Sequence, residues 1–266
     1  DIRFGDGQNG WAYGGGLWQT TDGGQTWNAV SLEVSVGRDG AVERLAAANN
    51  RVWAIVLTGA SSMTSSTYGL YSATYPGGTW AKVRSAGSFG PSLPMLAVQG
   101  TTAVVIGNDA TTGAERAIAA TGGSTTFTNL PGGLPCTAAP GDPLSATTNA
   151  LWLACTSATG KSGGAYVSPD FGHSWHVASS VLSDATVAIG ALDAKSAIMS
   201  DRGMLVRVSA DGSTGAVTAP DVPVTTTWSF IGFTDGSDGF AIPIVNDARQ
   251  LWRTTDGGAH WFVVKF

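Results

Sequence analysis

Three arginines and three aspartates are the side chains of this 266-residue chain whose types and spacing could act together chemically. They lie in three separate segments, as Asp109, Arg116, Asp201, Arg202, Asp247 and Arg249. Arginine binds a carboxylate through paired hydrogen bonds, and glycoside hydrolysis generally needs two carboxylates about 5–10 Å apart. Anion binding and sugar hydrolysis are therefore the two kinds of chemistry open to this set.

A simpler interpretation is that the arginines are surface charges and the aspartates are solvated turn residues. The sequence does not fix the distance between carboxylates that lie in different segments. Glutamate occurs only as Glu33, Glu43 and Glu115, so further acidic candidates are few. We assign no catalytic residue and retain five ligand-binding candidates, which are Arg116, Arg202, Arg249, Asp201 and Asp247.

The composition indicates which elements must position these residues. Charged residues make up 12% of the chain and hydrophobic residues 43%, which is the opposite of a disordered composition. Lysine and glutamate, both good helix formers, are scarce, so an all-β fold is expected. The net charge of −5 and the scattered basic residues argue against a nucleic-acid partner. No apolar run approaches the ~20 residues of a membrane span, so no membrane insertion is expected.

One short string recurs along the chain with the pattern Ser/Thr-x-Asp-x-Gly-x-x-Trp. Its three best copies are residues 20–27, 168–175 and 254–261. Degenerate copies lie at residues 76–80, 121–127 and 209–214. The three tryptophans, Trp27, Trp175 and Trp261, are separated by 148 and 86 residues. These separations fit three periods of about 49 residues and two of about 43, the size of a four-stranded propeller blade.

The repeats therefore predict an all-β, six-bladed β-propeller of four-stranded antiparallel blades, in a single domain over residues 1–266. The second strand of each blade is expected to be the most apolar. Such runs lie at residues 52–57, 103–106, 151–155, 197–199 and 240–244. Continuous apolar runs suit strands that are covered on both faces.

The repeated string resembles the Asp-box, or BNR repeat, of sialidases, photosystem-assembly propellers, sortilin-type receptors and some glycan-cleaving enzymes. The Gly10-Trp11-Ala12 string and the Leu-Trp-x-Thr-x-Asp-Gly-Gly strings resemble most the secreted bacterial propellers similar to photosystem II assembly factors. The resemblance covers the whole chain, through its repeats. It implies a sialidase-like fold with Asp-box turns and indicates little about chemistry.

The aspartates and tryptophans of the three best copies are expected to be structural. Asp22, Asp170 and Asp256 should accept hydrogen bonds from backbone N–H groups a few residues further on. Trp27, Trp175 and Trp261 should wedge between sheets, where an aromatic ring buries a large apolar area. Sugar binding by these tryptophans is the alternative.

The two cysteines, Cys136 and Cys155, have no histidine near them in sequence and are too few for a metal site. A disulfide is the preferred interpretation, and two free thiols are the alternative. A disulfide indicates export, which makes the protein secreted or extracytoplasmic, or the soluble part of an anchored protein. His173, His176 and His260 have no third ligand beside them, so neither metal nor cofactor is expected.

A sialidase needs three arginines on the substrate carboxylate, a Tyr–Glu nucleophile pair and an acid aspartate. Arg116, Arg202 and Arg249 fall between the second and third strands of three blades, on one predicted face, but the Arg-Ile-Pro string that opens sialidase domains is absent. We therefore predict an exported, non-catalytic, monomeric propeller that serves as a binding or assembly module for a glycan or an extracellular protein. The alternatives are a sialidase-like exo-glycosidase and a structural spacer.

The loops on that face are the predicted contact regions. They comprise residues 31–44, 58–68, 108–116, 129–145, 157–161, 201–202 and 246–249. The Ser/Thr-rich stretch 61–67 suits partner contact better than catalysis.

Overall fold

A computed structural model shows how these segments fold. The structure describes residues 1–14, 16–32, 41–59, 66–136, 144–147, 150–155, 163–182, 188–201, 203–217 and 226–265. Within those ranges it contains 26 strands, β1 to β26, and one short 3-10 helix, Arg84–Ala86. The strands form six antiparallel sheets, each with a path of four strands in sequence order.

The chain divides into two compact units, Asp1–Leu130 and Pro131–Phe266, and each unit contains three sheets. In the first unit, blade 1 consists of β1 (Ile2–Phe4), β2 (Gly10–Tyr13), β3 (Leu17–Thr20) and β4 (Asn28–Ala29). Blade 2 consists of β5 (Val42–Ala48), β6 (Arg51–Gly59), β7 (Thr67–Thr74), β8 (Ala81–Lys82) and the added β9 (Ser88–Phe89), which pairs with β7. Blade 3 consists of β10 (Met95–Gln99), β11 (Thr102–Asn108), β12 (Glu115–Ala120) and β13 (Thr128–Asn129).

The second unit repeats this plan. Blade 4 consists of β14 (Leu144–Ala146), β15 (Leu151–Cys155), β16 (Gly163–Ser168) and β17 (His176–Leu182). Blade 5 consists of β18 (Ile189–Ala191), β19 (Ser196–Asp201), β20 (Met204–Ser209) and β21 (Thr214–Ala216). Blade 6 consists of β22 (Thr227–Phe233), β23 (Gly239–Val245), β24 (Ala248–Arg249), β25 (Trp252–Thr254) and β26 (Phe262–Val263).

The first strands of consecutive blades contact each other within each unit. In the first unit β1 contacts β5 and β5 contacts β10, and in the second β14 contacts β18 and β18 contacts β22. Each blade continues from that strand through its second and third strands to a fourth strand at the edge of the sheet. The predicted fold class, an all-β chain of six four-stranded blades in a propeller arrangement, is confirmed. That residues 1–266 act as a single domain stays a prediction.

The middle blade of each unit buries both of its faces. Along β6, Val52, Ala54 and Val56 pack in a core shared with blade 1, whereas Trp53 and Ile55 pack in a core shared with blade 3. Because side chains alternate between the two faces of a strand, a strand covered on both faces must be apolar at every position. This requirement explains the continuous apolar runs, and the second strands lie where the sequence predicted them.

The same arrangement recurs in the second unit. Ala197 and Met199 of β19 pack in a core shared with blade 4, and Ile198 between them packs in a core shared with blade 6. All three side chains are fully buried. The two units therefore use one packing scheme.

A backbone hydrogen bond ties the two hairpin turns at one end of several blades. The turn between the third and fourth strands donates an N–H to a carbonyl in the turn between the first and second strands. The pairs are Gly23 to Gln8, Gly123 to Thr101, Ala210 to Lys195 and Gly257 to Ser237, at 2.7–2.9 Å. All six copies of the repeated string lie in this third-to-fourth strand connection.

The second and third strands of blade 6 are joined through an added hairpin that the sequence analysis missed. Strand β24 pairs with β23 around the two-residue turn Asn246-Asp247, and Val245 pairs with Ala248. Asn246 and Asp247 have positive φ values of 49° and 62°. Two consecutive positive φ values define the turn type that suits tight hairpins and that Asn and Asp tolerate.

The predicted disulfide between Cys136 and Cys155 is present, with the two Cα atoms 6.4 Å apart. It ties the segment that follows blade 3 to the end of β15, where Cys155 is buried. In the part of the chain that the structure describes, no helix has the length and apolar character needed to cross a membrane.

We expect the double substitution Cys136→Ser, Cys155→Ser to lower the free energy of unfolding by about 3 kcal/mol, because the disulfide closes a loop of about 20 residues in the unfolded chain. Urea unfolding of the oxidised protein and of the variant measures the difference. A reductant should lower the wild type to the level of the variant and leave the variant unchanged. Equal stability of the oxidised protein and the variant would contradict this prediction.

Candidate functional site

Three turns between third and fourth strands have the same pattern of hydrogen bonds. We call residues 20–27, 168–175 and 254–261 the aspartate turns. In the first, the Thr20 hydroxyl donates to Asp22 Oδ1 over 2.7 Å and accepts the Gly24 N–H over 2.8 Å. Asp22 also accepts the Thr26 N–H at 2.9 Å and the Thr26 hydroxyl at 2.6 Å. One carboxylate and one hydroxyl thus accept the Gly24 and Thr26 N–H groups, while the Gly23 N–H donates to Gln8 O.

The second and third aspartate turns repeat the network. Ser168 and Thr254 take the place of Thr20, and like Thr20 they are fully buried. Asp256 accepts the His260 N–H at 2.9 Å and lies 2.7 Å from the His260 imidazole Nδ1. A histidine therefore replaces the hydroxyl that Thr26 supplies in the first turn.

These hydrogen bonds hold the pKa values of the three aspartates at about 2. Bonds from the Thr26 side chain and N–H lower the pKa of Asp22, and bonds from the His260 N–H and side chain lower that of Asp256. Burial raises the pKa of Asp170, but bonds from Ser174 and Ser168 outweigh it. Carboxylates with several donors and such low pKa values are committed to the folded backbone.

The tryptophans of the aspartate turns differ in burial. Trp261 is 2% exposed and packs edge-to-face on Phe233, with the ring centroids 6.0 Å apart. Trp27 packs on Phe4 in the same way at 6.2 Å but remains half-buried. Trp175 is also half-buried, and its indole N–H donates to Gly133 O at 3.0 Å. The expected wedge between sheets therefore describes Trp261 best.

Arg116 and Asp109 form one compact cluster in the first unit. Arg116 Nη1 lies 2.7 Å from Asp109 Oδ2, and Nη2 donates to Ala86 O at 2.7 Å. The guanidinium also lies over the Phe89 ring, 5.2 Å from its centroid. Arg116 thus connects its own loop to β9 and the 3-10 helix that precedes it.

Asp109 also organises the turn that follows it. Its carboxylate accepts the N–H groups of Thr111 and Thr112 at 2.9 and 3.0 Å. The Thr112 and Thr111 N–H groups and the Arg116 guanidinium hold the pKa of Asp109 at about 2. The sequence analysis placed both residues in one loop but did not predict that they pair.

The other ligand-binding candidates lie in the second unit. Asp247 and Arg249 are exposed on the β23–β24 hairpin, where Asp247 occupies a turn position with positive φ. Asp201 is half-buried at the end of β19 and pairs with Met204 through the backbone. Arg202 lies outside the described residues, so the set of three arginines stays a prediction. The stretch 61–67 is described only at residues 66 and 67.

The histidines behave as turn residues. His173 and His176 are exposed at the second aspartate turn, and His260 pairs with Asp256 at the third. Among the described residues, no group of three or more His, Cys, Asp or Glu side chains could hold a metal ion.

Sequence reasoning missed a polar group beside the first strands of blades 1 and 2. The Asp1 carboxylate accepts from Arg3 Nη1 at 2.8 Å and from the Tyr13 hydroxyl at 3.2 Å. Arg44, which follows a β-bulge in β5, donates from Nε to Pro94 O at 3.1 Å. Burial lowers the pKa of Arg44 and raises that of Tyr13. Arg44 and Pro94 lie 50 residues apart, so no local sequence signal could have revealed their contact.

The fold and its turns define the chain as a six-bladed β-propeller. No protein-family model matches the chain, and no curated protein sequence matches it. Several solved structures are similar to the chain. YCF48 bound to D1 peptide is similar with a TM-score of 0.65 and 17% identity, over 99% of this chain and 79% of that one.

Two further solved structures have the same kind of similarity. YCF48 from Cyanidioschyzon merolae has a TM-score of 0.63 and 16% identity, over 99% of this chain and 84% of that one. A structure from a structural and mechanistic analysis of two prolyl endopeptidases has a TM-score of 0.65 and 10% identity, over all of this chain and 42% of that one. At these identities the similarity establishes the fold.

The folded state should lose stability in acid through the aspartate turns. The pKa of Asp22 is about 2 when folded, against about 3.9 for an unperturbed aspartate, so the unfolded chain binds more protons between these values. The stabilisation is therefore complete above pH 4 and is lost as the pH falls from about 4 to about 2. Denaturant unfolding at several pH values across that range gives the free energy of unfolding as a function of pH. This free energy should fall less steeply with decreasing pH for Asp22→Asn than for the wild type. An equal fall in both proteins would contradict this prediction.

Removing the Arg116 guanidinium should loosen the loop that it holds. We expect Arg116→Gln to accelerate amide hydrogen exchange at Thr111 and Thr112, because Asp109 loses the ion pair that orients it. The matched control is Arg253→Gln, which breaks an exposed 2.8 Å ion pair with Asp238 in blade 6. Unchanged exchange at Thr111 and Thr112 in the first variant would contradict a positioning role for Arg116.

Proposed function

We propose that this chain is an exported, non-catalytic propeller of the Asp-box kind that acts as a binding or assembly module for a protein partner. Photosystem II assembly factors offer a functional parallel, since one of the similar solved structures is YCF48 bound to D1 peptide. The repeated aspartate turns support the Asp-box assignment. The disulfide supports export, because disulfides persist in oxidising compartments. We propose a monomer.

The arrangement of Arg116 carries the proposal that the function is binding. A sialidase would need this arginine to face the carboxylate of a substrate. Here Arg116 instead bridges Asp109 and the Ala86 carbonyl, at 2.7 Å to each. Both groups that sequence analysis offered for chemistry in this loop are therefore used to fix its shape.

A loop fixed in this way is suited to recognition. A surface loop that is ordered before binding loses less conformational entropy when a partner docks. The loop between β11 and β12 is ordered in this way, because the Asp109 carboxylate accepts two backbone N–H groups and binds the Arg116 guanidinium. Loops on a rigid scaffold are where propellers and similar folds usually bind partners.

Selection from a displayed library of random 12-residue peptides tests the proposal. We expect the wild type to enrich specific peptides, and we expect Arg116→Gln to weaken those that contact the loop of residues 109–114. Arg253→Gln should bind every peptide as the wild type does. Failure of the wild type to enrich any peptide would overturn the proposal.

The glycosidase alternative is tested on the same preparations. Fluorogenic sialosides should be turned over no faster than in a heat-inactivated sample. Turnover by the wild type that Arg116→Gln abolishes would replace the binding proposal with the sialidase alternative. A thermal shift with a neutral glycan, without peptide binding, would instead point to a lectin-like module.

A further inference from the structure

Blade 1 buries one polar acceptor and one polar donor that no protein atom satisfies. In the part of the chain that the structure describes, Asn9 Oδ1 and Trp11 Nε1 have no hydrogen-bond partner. Asn9 is 8% exposed and Trp11 is 1% exposed. Buried polar groups in folded proteins nearly always have a partner, which is either another protein group or an ordered water molecule. These two atoms therefore point to a bound molecule that can both donate and accept a hydrogen bond.

The neighbouring Asp6 fixes the orientation of the Asn9 amide. Asn9 Nδ2 donates to Asp6 Oδ1 at 3.0 Å and to Asp6 Oδ2 at 2.9 Å, and the Asn9 N–H donates to Asp6 Oδ1 at 2.7 Å. A carboxylate only accepts hydrogen bonds, so the NH₂ end of the amide must face Asp6. The buried Oδ1 is therefore the end of the amide that points away from Asp6.

The strand register places Asn9 and Trp11 on one face of blade 1. Phe4 pairs with Gly10, and the Gly5 N–H donates to Asn9 O at 2.9 Å, which continues the same register by one residue. Side chains two positions apart on an extended segment point to the same face, with their Cα atoms about 7 Å apart. This face is the one that packs on blade 2, because Trp11 lies in the core shared with that blade.

Tyr75, which directly follows β7 in blade 2, brings a third polar group to the same place. Its ring packs edge-to-face on Trp11, with the ring centroids 5.1 Å apart. Its hydroxyl lies against Gly5, the residue bonded to Asn9, at a point where a Cβ on Gly5 would collide with it. Tyr75 is 3% exposed, and burial raises the pKa of its hydroxyl. The hydroxyl therefore keeps its proton at neutral pH and can donate it.

The second unit shows how such a tryptophan is satisfied directly. Trp152 of β15 faces blade 5, and its indole N–H donates at 2.8 Å to Asp193 O, in the turn between the first and second strands of blade 5. In blade 2 the corresponding turn contains Asn50, whose carbonyl accepts the Tyr75 N–H at 2.9 Å. Trp11 thus meets the ring of Tyr75, where Trp152 meets a carbonyl of the next blade.

We propose that one ordered water molecule binds between blades 1 and 2, where it accepts the Trp11 indole N–H and the Tyr75 hydroxyl proton and donates to Asn9 Oδ1. Three hydrogen bonds are typical of a buried water. A cation does not fit, because two of the three groups are donors. An apolar molecule does not fit either, because it would leave all three polar groups unpaired. The water joins blades 1 and 2 in the way that the Trp152 bond joins blades 4 and 5.

Solution NMR of the ¹⁵N-labelled protein tests this site through the indole N–H groups. We expect a cross-peak between the Trp11 indole N–H and the water frequency, with opposite signs in NOE and ROE spectra, as a long-lived bound water gives. Direct exchange with solvent would give the same sign in both. Trp261 is the matched control, because it is 2% exposed and donates its indole N–H to Gly258 O at 3.1 Å. It should show no such cross-peak, and Trp11→Phe assigns the Trp11 signal.

The Tyr75 hydroxyl proton exchanges with solvent and could itself produce a peak at the water frequency. Tyr75→Phe removes that proton and leaves two partners for the water, so the Trp11 cross-peak should remain. A crystal structure of the wild type gives a second measurement. It should show a water molecule within about 3.2 Å of Asn9 Oδ1, Trp11 Nε1 and the Tyr75 hydroxyl oxygen.

Four results would overturn the water site. They are a missing cross-peak at Trp11, an equal cross-peak at Trp261, loss of the Trp11 cross-peak in Tyr75→Phe, and a crystal structure in which no water contacts the three groups. None of these residues belongs to the loop of residues 109–114, so each of these results would leave the proposed binding function unchanged.

Discussion

The requirement that the middle blades bury both faces governs the rest of each unit. Strand β6 places alternate side chains in two different cores, with Val52 on one side and Trp53 on the other. A sheet covered on both faces buries apolar side chains on each face of every strand. Because water is excluded from such a sheet, its backbone N–H and C=O groups must form hydrogen bonds within the sheet. Antiparallel pairing provides those hydrogen bonds, so the strands can be short and almost uncharged. The connections between strands must then satisfy the remaining polar groups.

Several charged and hydroxyl side chains in the described chain satisfy such polar groups in the connections between strands. Asp22 and Thr20 satisfy a turn in blade 1, and Asp109 satisfies the loop that follows β11. In a chain with only 12% charged residues, carboxylates used for turns are not available for catalysis. Arg116, which the sequence analysis considered for anion binding, is likewise bonded to the Asp109 carboxylate that precedes its strand. The proposed binding function relies on loops that are shaped in this way before a partner docks.

The repeats allow departures to be seen against an internal standard. Blade 6 keeps the aspartate turn but places His260 where blade 1 has Thr26, which changes the partner and not the geometry. Blade 4 keeps the hydrogen bonds of Asp170 but changes Phe171 and the direction of the Trp175 indole. The departures in blade 4 preserve the network, and Phe171 and Trp175 remain half-buried.

By itself the sequence determined the number of blades, the path of four strands in each and the position of the aspartate turns, and it favoured the disulfide; the added strands β9 and β24 were not predicted. These features are local or periodic: turn chemistry, alternating burial and a fixed repeat length are all visible in one dimension. Tertiary structure alone decided that Arg116 bonds to Asp109 and Ala86, and that Arg44 reaches Pro94 across 50 residues. It also decided that Trp175 turns away from the orientation of Trp27 and Trp261. The contacts of Arg116 with Ala86 and of Arg44 with Pro94 join residues 30 and 50 positions apart, and partners at that separation leave no pattern in the order of the residues.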